Sequence, residues 1–455
     1  MNNELKNQTV LVVGTGISGI GAVKLLLEAQ AKPILYDGNE ELDPNEIASK
    51  LETTEQIPIY LGSIPEEVEQ KIERLVISPG VPIDSELVTR FSNRGIKIWG
   101  EVELAYAFEQ GRVIAITGTN GKTTTTSLTG EIMKAYTEQT FVVGNIGTPY
   151  TGAVLKTTPD SVTVAEISSF QLETIEHFKP VVSAILNITP DHLNRHHTLE
   201  NYIAVKEEIT ANQTEQDTIV LNYEDAVLRE FGKQTKAKVV YFSSAHELED
   251  GFYLKEDVIY QAKGGNSKAL LNVHDTLLLG THSYENIMAA MAMTDAFGVP
   301  METIIAAVKV FHAVEHRIEY VATKQGVDYY NDSKGTNVDA AIKGIQAMVK
   351  PTYLIGGGYD KGAAYDEWIE AFDGKVKELI LLGATKEAIA ACAKAHGFEQ
   401  IVYQDSLEEA MEYISKKASA GDAVLLSPAC ASWGMFKNYE ERGRIFKELV
   451  YQLRE

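Results

Sequence analysis

The chain is poor in cysteine and in positive charge, and it has no long apolar run. Only two cysteines, Cys392 and Cys430, occur among 455 residues. Two cysteines so far apart do not make a disulfide framework, and their scarcity fits a reducing compartment. No apolar run approaches the ~18 residues of a membrane span, so none is expected. The opening Met-Asn-Asn-Glu-Leu-Lys-Asn holds no apolar h-region. No signal peptide is expected there, and the expected location is the cytoplasm. The 41 basic residues are outnumbered by 64 acidic ones, a formal charge of -23. This argues against a nucleic-acid binder, which holds phosphate backbones with net positive surface. Small polyanions stay within reach if glycine turns, helix N-termini and a few cations concentrate positive potential locally.

What is present begins with residues 113–126, Val-Ile-Ala-Ile-Thr-Gly-Thr-Asn-Gly-Lys-Thr-Thr-Thr-Thr. The apolar start predicts a buried parallel strand. Gly118 and Gly121 bracket a tight turn, and Lys122 and Thr123 stand at the expected start of a helix. Backbone N–H groups, the helix N-terminus and Lys122 would surround phosphate, and Thr123 offers a hydroxyl to Mg²⁺. The usual phosphate loop has four residues between its glycines. This one has only Thr119 and Asn120.

Length predicts about three domains at ~150 residues each. In the first block, strand Thr9 to Val13 runs into Gly14-Thr-Gly16-Ile-Ser-Gly19 and an apolar-periodic helix. A second strand ends at Asp37. This is the dinucleotide pattern; its physics suits any nucleotide diphosphate on the helix that starts near Ile17 and Ser18. A third strand ends in Ser78-Pro79-Gly80, either a ligand contact or a plain turn. A boundary is expected near residues 97–101. In the second block, a buried strand ends in Glu166, a natural Mg²⁺ ligand beside a phosphate loop. Asn187 to His197 then carries three histidines and Arg195. Its spacing matches no zinc pattern, and zinc is not expected. Lys206, near a helix start, reads by default as a solvated side chain. The stretch 252–276 reads as short strands and turns, and a second boundary is expected near residue 311. Strands and helices alternate in the third block, which predicts another parallel α/β sheet. Gly356-Gly-Gly-Tyr-Asp360-Lys361-Gly362 reads there as an anion-cradling turn. Cys430 reads as a packing residue rather than a nucleophile.

Together these stretches resemble the Mur ligase family, ATP-dependent amino-acid ligases of peptidoglycan synthesis. Gly118-Thr-Asn-Gly-Lys-Thr-Thr124 is similar to the family's short phosphate loop. Glu166-Ile-Ser-Ser-Phe-Gln-Leu172, Asn187 to His196, Asn331-Asp-Ser-Lys-Gly-Thr-Asn337 and Leu426-Ser-Pro-Ala-Cys-Ala-Ser432 resemble its D-glutamate-adding branch. The chain departs from the family in carrying Ser283 after His282, and Gly38-Asn39 after Asp37.

The resemblance implies three α/β domains, each on a mainly parallel sheet. A Rossmann-like domain (1–99) would bind the UDP substrate. A central P-loop ATPase domain (100–312) would bind ATP. A Rossmann-like C-terminal domain (313–455) would bind the amino acid and close over ATP. It implies ATP and Mg²⁺, with two ions expected, and the substrates UDP-N-acetylmuramoyl-L-alanine and D-glutamate. Neither nucleic acid nor a membrane is an expected partner, and a monomer is expected. By resemblance, Gly118, Thr119, Asn120, Gly121, Lys122, Thr123, Thr124, Asn286, Arg317 and Asp332 contact ATP. Thr123, Glu166, His192 and Lys206 serve the metal, Lys206 as a carbamate. Ile17, Ser18, Asp37, Ser78, Gly80 and Asn145 hold the UDP substrate. Lys334, Thr336, Lys361, Ser432 and Tyr439 hold D-glutamate or the reacting phosphoryl group. Lys122, Lys206, His192 and Lys334 would be catalytic. The alternatives are a sibling or folylpolyglutamate-type ligase, a nicotinamide-dependent oxidoreductase and a nucleotide switch.

Overall fold

The computed structural model describes residues 4–312, 314–360 and 362–454. They carry three sheets. The first joins β1 (Thr9–Val13), β2 (Lys32–Asp37), β3 (Ile59–Leu61), β4 (Arg74–Ile77) and β5 (Lys97–Gly100). The order is β3-β2-β1-β4-β5, and every pair is parallel. Leu11 and Val13 pack on one face with Leu75, Val88 and Phe91; Val10 and Val12 pack on the other with Val23 and Leu26. Residues 97–100, expected to lie at a boundary, form the edge strand. The chain leaves β1 in one direction to β2 and later returns on the other side with β4. A crevice opens at such a switch point beyond the strands' carboxyl ends. It lies between the Gly14–Gly19 turn and Ser78.

The second sheet contains β6 (Arg112–Thr117), β7 (Thr140–Gly144), β8 (Val162–Glu166), β9 (Val182–Ile185) and β10 (Thr218–Asn222). It continues with β11 (Lys238–Ser243), β12 (Gly251–Lys255), β13 (Val258–Lys263) and β14 (Asn266–Asn272). Its order is β14-β13-β12-β11-β10-β9-β6-β8-β7. The last three strands, weakly patterned in sequence, form an antiparallel meander. Strand β6 lies between β8 and β9, which puts the loop at 118–121 at this sheet's own switch point. Helix Lys122–Tyr136 follows, although threonine is a weak helix former. Burial of Thr124, Thr125, Thr126 and Thr129 overrides propensity.

The third sheet joins β15 (Glu319–Lys324), β16 (Val327–Asn331), β17 (Thr352–Gly358), β18 (Val376–Gly383), β19 (Ile401–Tyr403) and β20 (Ala423–Leu426). The order is β15-β16-β20-β17-β18-β19, with only β15 antiparallel to its neighbour. Gly356, Gly357 and Gly358, expected to form a turn, extend β17. Gly357 has φ +96°, and a Cβ there would stand 2.2 Å from the Leu382 carbonyl oxygen. Glycine thus lets β17 and β18 approach. Residues 4–272 and 285–308 form one compact unit; 273–284 and 309–454 fall in another.

A buried carboxylate fastens the first sheet to the second within their shared unit. Helix Glu101–Tyr106 follows β5 directly. Glu103 accepts backbone N–H bonds from Glu176 (2.9 Å), His177 (2.7 Å) and Phe178 (3.0 Å). Burial pushes its pKa up while those three donors oppose the rise. Removing the acceptor would strand the donors away from water. Glu103→Ala is therefore expected to lower unfolding free energy by about 3 kcal/mol. Urea denaturation checks this, and a change below about 1 kcal/mol would refute the clamp.

Candidate functional site

The first crevice is built by glycine. Gly14 has φ +105°, and a Cβ there would meet the Ser78 Oγ at 2.5 Å. Helix Ile17–Glu28 starts at Gly16 without a side-chain cap, so its first N–H groups face outward for an anion. Ile17 is 78% exposed at that opening. Asp37 receives the Thr15 N–H (3.0 Å), the Thr15 hydroxyl (2.8 Å) and the Asn39 N–H (3.1 Å). Partial burial would raise its pKa, but these donors win and lower it. The Ser78 hydroxyl is buried without a hydrogen-bond partner, and a Cβ on Gly80 would meet nothing within 4 Å. Ile17, Ser18, Asp37, Ser78 and Gly80 thus gather at the carboxyl ends of β1, β2 and β4.

The central loop is held from outside. Asn187, directly after β9's segment, accepts the Asn120 N–H (2.8 Å) and donates to the Asn120 carbonyl (3.1 Å). The Thr119 hydroxyl donates to the Thr189 carbonyl (3.1 Å) and lies 3.1 Å from the Tyr202 hydroxyl. Gly121 has φ +84°, and a Cβ there would stand 2.4 Å from the Asn286 Oδ1. That oxygen accepts the Thr125 hydroxyl at 3.2 Å. Lys122 folds over its own loop and donates to the carbonyls of Gly118 (2.8 Å) and Thr119 (2.9 Å). Thr123 and Thr124 open the helix beside it. Sequence reasoning gave Asn187 and Tyr202 no role; a polar residue directly after a core strand was the available signal.

Lys206 is a correction to the solvated default. It is 1% exposed, and its Nζ reaches the same Gly118 carbonyl at 2.9 Å. Burial, reinforced by the Lys122 charge, drives its pKa well below the lysine range, against a weaker pull from Asp191. A neutral amine is thereby favoured. Glu166 is 1% exposed at the end of β8. Its Oε1 accepts from the Asn145 Nδ2 at 2.8 Å, while its Oε2 is buried with no hydrogen-bond partner. A buried carboxylate oxygen left over in this way fits a cation or its water. Glu166 and Thr123, with the phosphate loop, therefore suit Mg²⁺. Asn145 orients Glu166 here. His192 is half exposed, with φ +51° and its ring 4.9 Å from Phe170. The buried histidine is His196. Its Nε2 lies 3.0 Å from the Ser169 hydroxyl and its Nδ1 lies 3.4 Å from Glu173.

The C-terminal unit holds its own cluster. Asp332 is buried at the end of β16. It accepts the Ser427 hydroxyl (2.7 Å) and the Ile318 N–H (3.3 Å). Arg442 donates to the Ser333 hydroxyl (3.0 Å) and carbonyl (2.8 Å) and to the Cys430 carbonyl (3.3 Å). Desolvation lowers its pKa to about 10. Lys334 lies 5.8 Å from the Tyr439 ring centre, and the Ser333 hydroxyl donates to the Tyr439 carbonyl at 2.8 Å. Thr336 follows in the same loop, its N–H donating to the Lys334 carbonyl at 2.8 Å. Ser432 is buried after β20. The unit thus brings Arg317, Asp332, Lys334, Thr336, Ser432 and Tyr439 to the carboxyl ends of β16, β17 and β20. Lys361 lies outside the described residues.

Desolvation raises the Asp332 pKa from 3.8 to about 6, against Arg317, Ser427, the Ile318 N–H and Arg442. The folded chain then binds this proton more tightly than the unfolded chain. Its stabilising contribution is complete below pH 3.8 and is lost as pH rises through about 6. The loss amounts to about 3 kcal/mol at ~1.4 kcal/mol per pKa unit. Asp332→Asn removes this titration. Unfolding free energies of wild type and variant, measured by urea from pH 4 to pH 7, are expected to diverge by most of that amount in the variant's favour. A constant difference would refute the assignment.

The chain has relatives along its whole length. The Mur ligase MurD-like N-terminal domain matches residues 8–100, the Mur ligase middle domain 116–294, and the Mur ligase glutamate ligase domain 316–430. A UDP-N-acetylmuramoylalanine--D-glutamate ligase of Lachnospira eligens is 61% identical, over 99% of this chain and 100% of its own. A second protein of that name, from Lachnoclostridium phytofermentans, is 55% identical over 98% of each chain. Among solved structures, the UDP-N-acetylmuramate-alanine ligase of Thermotoga maritima has a TM-score of 0.59 at 19% identity, over 98% of this chain and 99% of its own. The MurF ligase of that organism, in complex with ADP, also scores 0.59, at 17% identity over 99% and 97%. At these identities the structures share the fold. The three domain matches in sequence and the full-length relatives together establish that the chain belongs to the Mur ligase family.

Proposed function

We propose that the chain is an ATP-dependent ligase that joins D-glutamate to UDP-N-acetylmuramoyl-L-alanine in peptidoglycan precursor synthesis. Full-length identity of 61% to a relative named for that reaction carries the reading. In this reading the substrate carboxylate attacks the γ-phosphate of ATP and yields an acyl phosphate and ADP. The amine of D-glutamate then attacks the acyl carbon, phosphate leaves, and the amine loses a proton. The chemistry gathers a triphosphate, a carboxylate and a dicarboxylic amino acid. Positioning and local positive charge must supply most of the catalysis.

Each group has a place in the reading. The loop amides of residues 118–121 and Lys122 hold the β- and γ-phosphates. Thr124, Asn286, Arg317 and Asp332 complete the ATP contacts. Thr123, Glu166, His192 and Lys206 would hold Mg²⁺, with two ions proposed. Bound Mg²⁺ would neutralise phosphate charge and polarise the transferring group. The first crevice takes the UDP part rather than a nicotinamide, and Asn145 touches the muramoyl-alanine arm while orienting Glu166. Lys334, Thr336, Lys361, Ser432 and Tyr439 bind D-glutamate or the transferring phosphoryl group. The working unit is taken as one chain in the cytoplasm. Among the described residues no helix is long and apolar enough to cross a membrane.

Lys206 fits the role of a carbamate. An ammonium cannot ligate a cation, but a neutral amine that captures CO₂ becomes an anionic oxygen ligand and releases a proton. Its burial and its lowered pKa favour the neutral amine. Lys206→Ala is expected to lose at least ~100-fold in kcat and to recover part of it with added acetate or formate. No recovery would leave Lys206 a packing residue. Phosphate release should need UDP-N-acetylmuramoyl-L-alanine, ATP and D-glutamate together. Equal or faster turnover with L-alanine, L-lysine or meso-diaminopimelate would overturn the amino-acid assignment.

A further inference from the structure

A second donor cluster, made of residues with no part in the proposed reaction, lies on the third sheet's helices. Helix Asp366–Glu370 and helix Lys386–Ala395 pack side by side. Asp366 and Glu370 are one helical turn apart on the first. Cys392 and His396 are one turn apart at the end of the second. Residues four apart share a helix face, so each helix turns a pair of ligand types toward the other. Donor atoms of Asp366, Cys392 and His396 all lie within 4.8 Å of one another. The His396 Nε2 is 3.7 Å from the Asp366 Oδ1 and 3.6 Å from the Glu370 Oε1. The Cys392 Sγ lies 3.9 Å from the His396 Nδ1.

The histidine is also oriented. Its Nδ1 donates to the Cys392 carbonyl at 3.0 Å, an oxygen that can only accept. This bond fixes Nδ1 as the protonated nitrogen of the neutral ring and turns the Nε2 lone pair to the two carboxylates. A lone pair facing two anions is repulsive unless a proton or a metal ion lies between them. Backbone carbonyls orient metal-binding histidines in the same way. A thiol, an imidazole and two carboxylates form a donor set for four-coordinate Zn²⁺ rather than for Mg²⁺, which keeps to oxygen.

We propose that Asp366, Glu370, Cys392 and His396 bind a divalent transition-metal ion of the Zn²⁺ class. Small side-chain movements would draw the four donors onto one ion. The ion would tie the two helices together.

The test uses the full-length protein, stripped with chelator and titrated with Zn²⁺ by equilibrium dialysis in excess Mg²⁺. Co²⁺ serves as the optical probe, because a cysteine ligand gives it a thiolate charge-transfer band. The expected result is one Zn²⁺ per chain that Mg²⁺ does not displace, and a charge-transfer band with Co²⁺. Cys392→Ser should abolish the band. His396→Ala should weaken binding at least ~tenfold, and both variants should keep wild-type ligase turnover. Failure to bind one equivalent, or a band that survives Cys392→Ser, would overturn the proposal; the cluster would then be an ion pair around a protonated His396. These readouts do not depend on the ligase assignment, so either reading can fail alone.

Discussion

The carbonyl of Gly118 accepts a hydrogen bond from each of two lysine side chains, Lys122 and Lys206. Much of the central site depends on that shared oxygen. It can be shared because β6 ends at the sheet's switch point and because φ at Gly118 is +149°. The turn presents its oxygen to both amines at once. Burial disfavours the charged form, and two ammonium groups on one oxygen also repel each other. The less solvated one gives way, and that is Lys206. The shift favours a neutral amine at Lys206, the form that the proposed carbamate needs. Burial thus sets apart two identical side chains that share one backbone acceptor.

The same device, a buried polar group shared between elements, joins the first sheet to the second. Glu101, in the helix after β5, accepts the Gln171 amide at 2.7 Å. Gln171 in turn completes a capping box with Ser168, two residues after Glu166. Farther along, Arg195 bonds Glu173 and the Val81 carbonyl, the latter at 2.9 Å. Val81 directly follows Gly80. Polar contacts thus run from the helix after β5 and the turn after β4 to both ends of the helix after β8. Networks of this kind hold geometry when every member is satisfied. The exception is a Glu101 oxygen that is buried without a partner.

Legibility in the sequence followed the locality of the physics. The strands ending at Val13, Asp37, Ile77, Thr117 and Glu166 were readable because apolar runs stop at glycine or at a polar residue. The short phosphate loop was readable because its glycines, Lys122 and Thr123 are neighbours in the chain. Strand β5 was missed because Lys97 to Gly100 carries little apolar pattern and lies at an edge. In sequence the glycines of β17 read as a turn; only the approach of β18 explains why glycine stands inside a strand. Lys206 looked solvated because nothing within its helix shows that Gly118, 88 residues earlier, waits above it. Asn187, Glu103 and the Asp332–Ser427 pair were silent for the same reason. Each becomes informative only when a strand from elsewhere supplies its partner.

A chain of charge -23 that handles three anions raises a question of means, and the site's own composition resolves it. Net charge acts over a Debye length of ~8 Å and is screened beyond it. Inside a site, the nearest donors set the potential. Near the phosphate loop these are the backbone amides, the N-terminus of helix Lys122–Tyr136 and Lys122. In the C-terminal unit they are Arg317, Lys334 and Arg442. There, desolvation raises the Asp332 pKa to about 6 against the opposing pull of two arginines. The acidic exterior keeps the protein from nonspecific polyanions. Burial, rather than a basic surface, makes the few cations strong where they are needed.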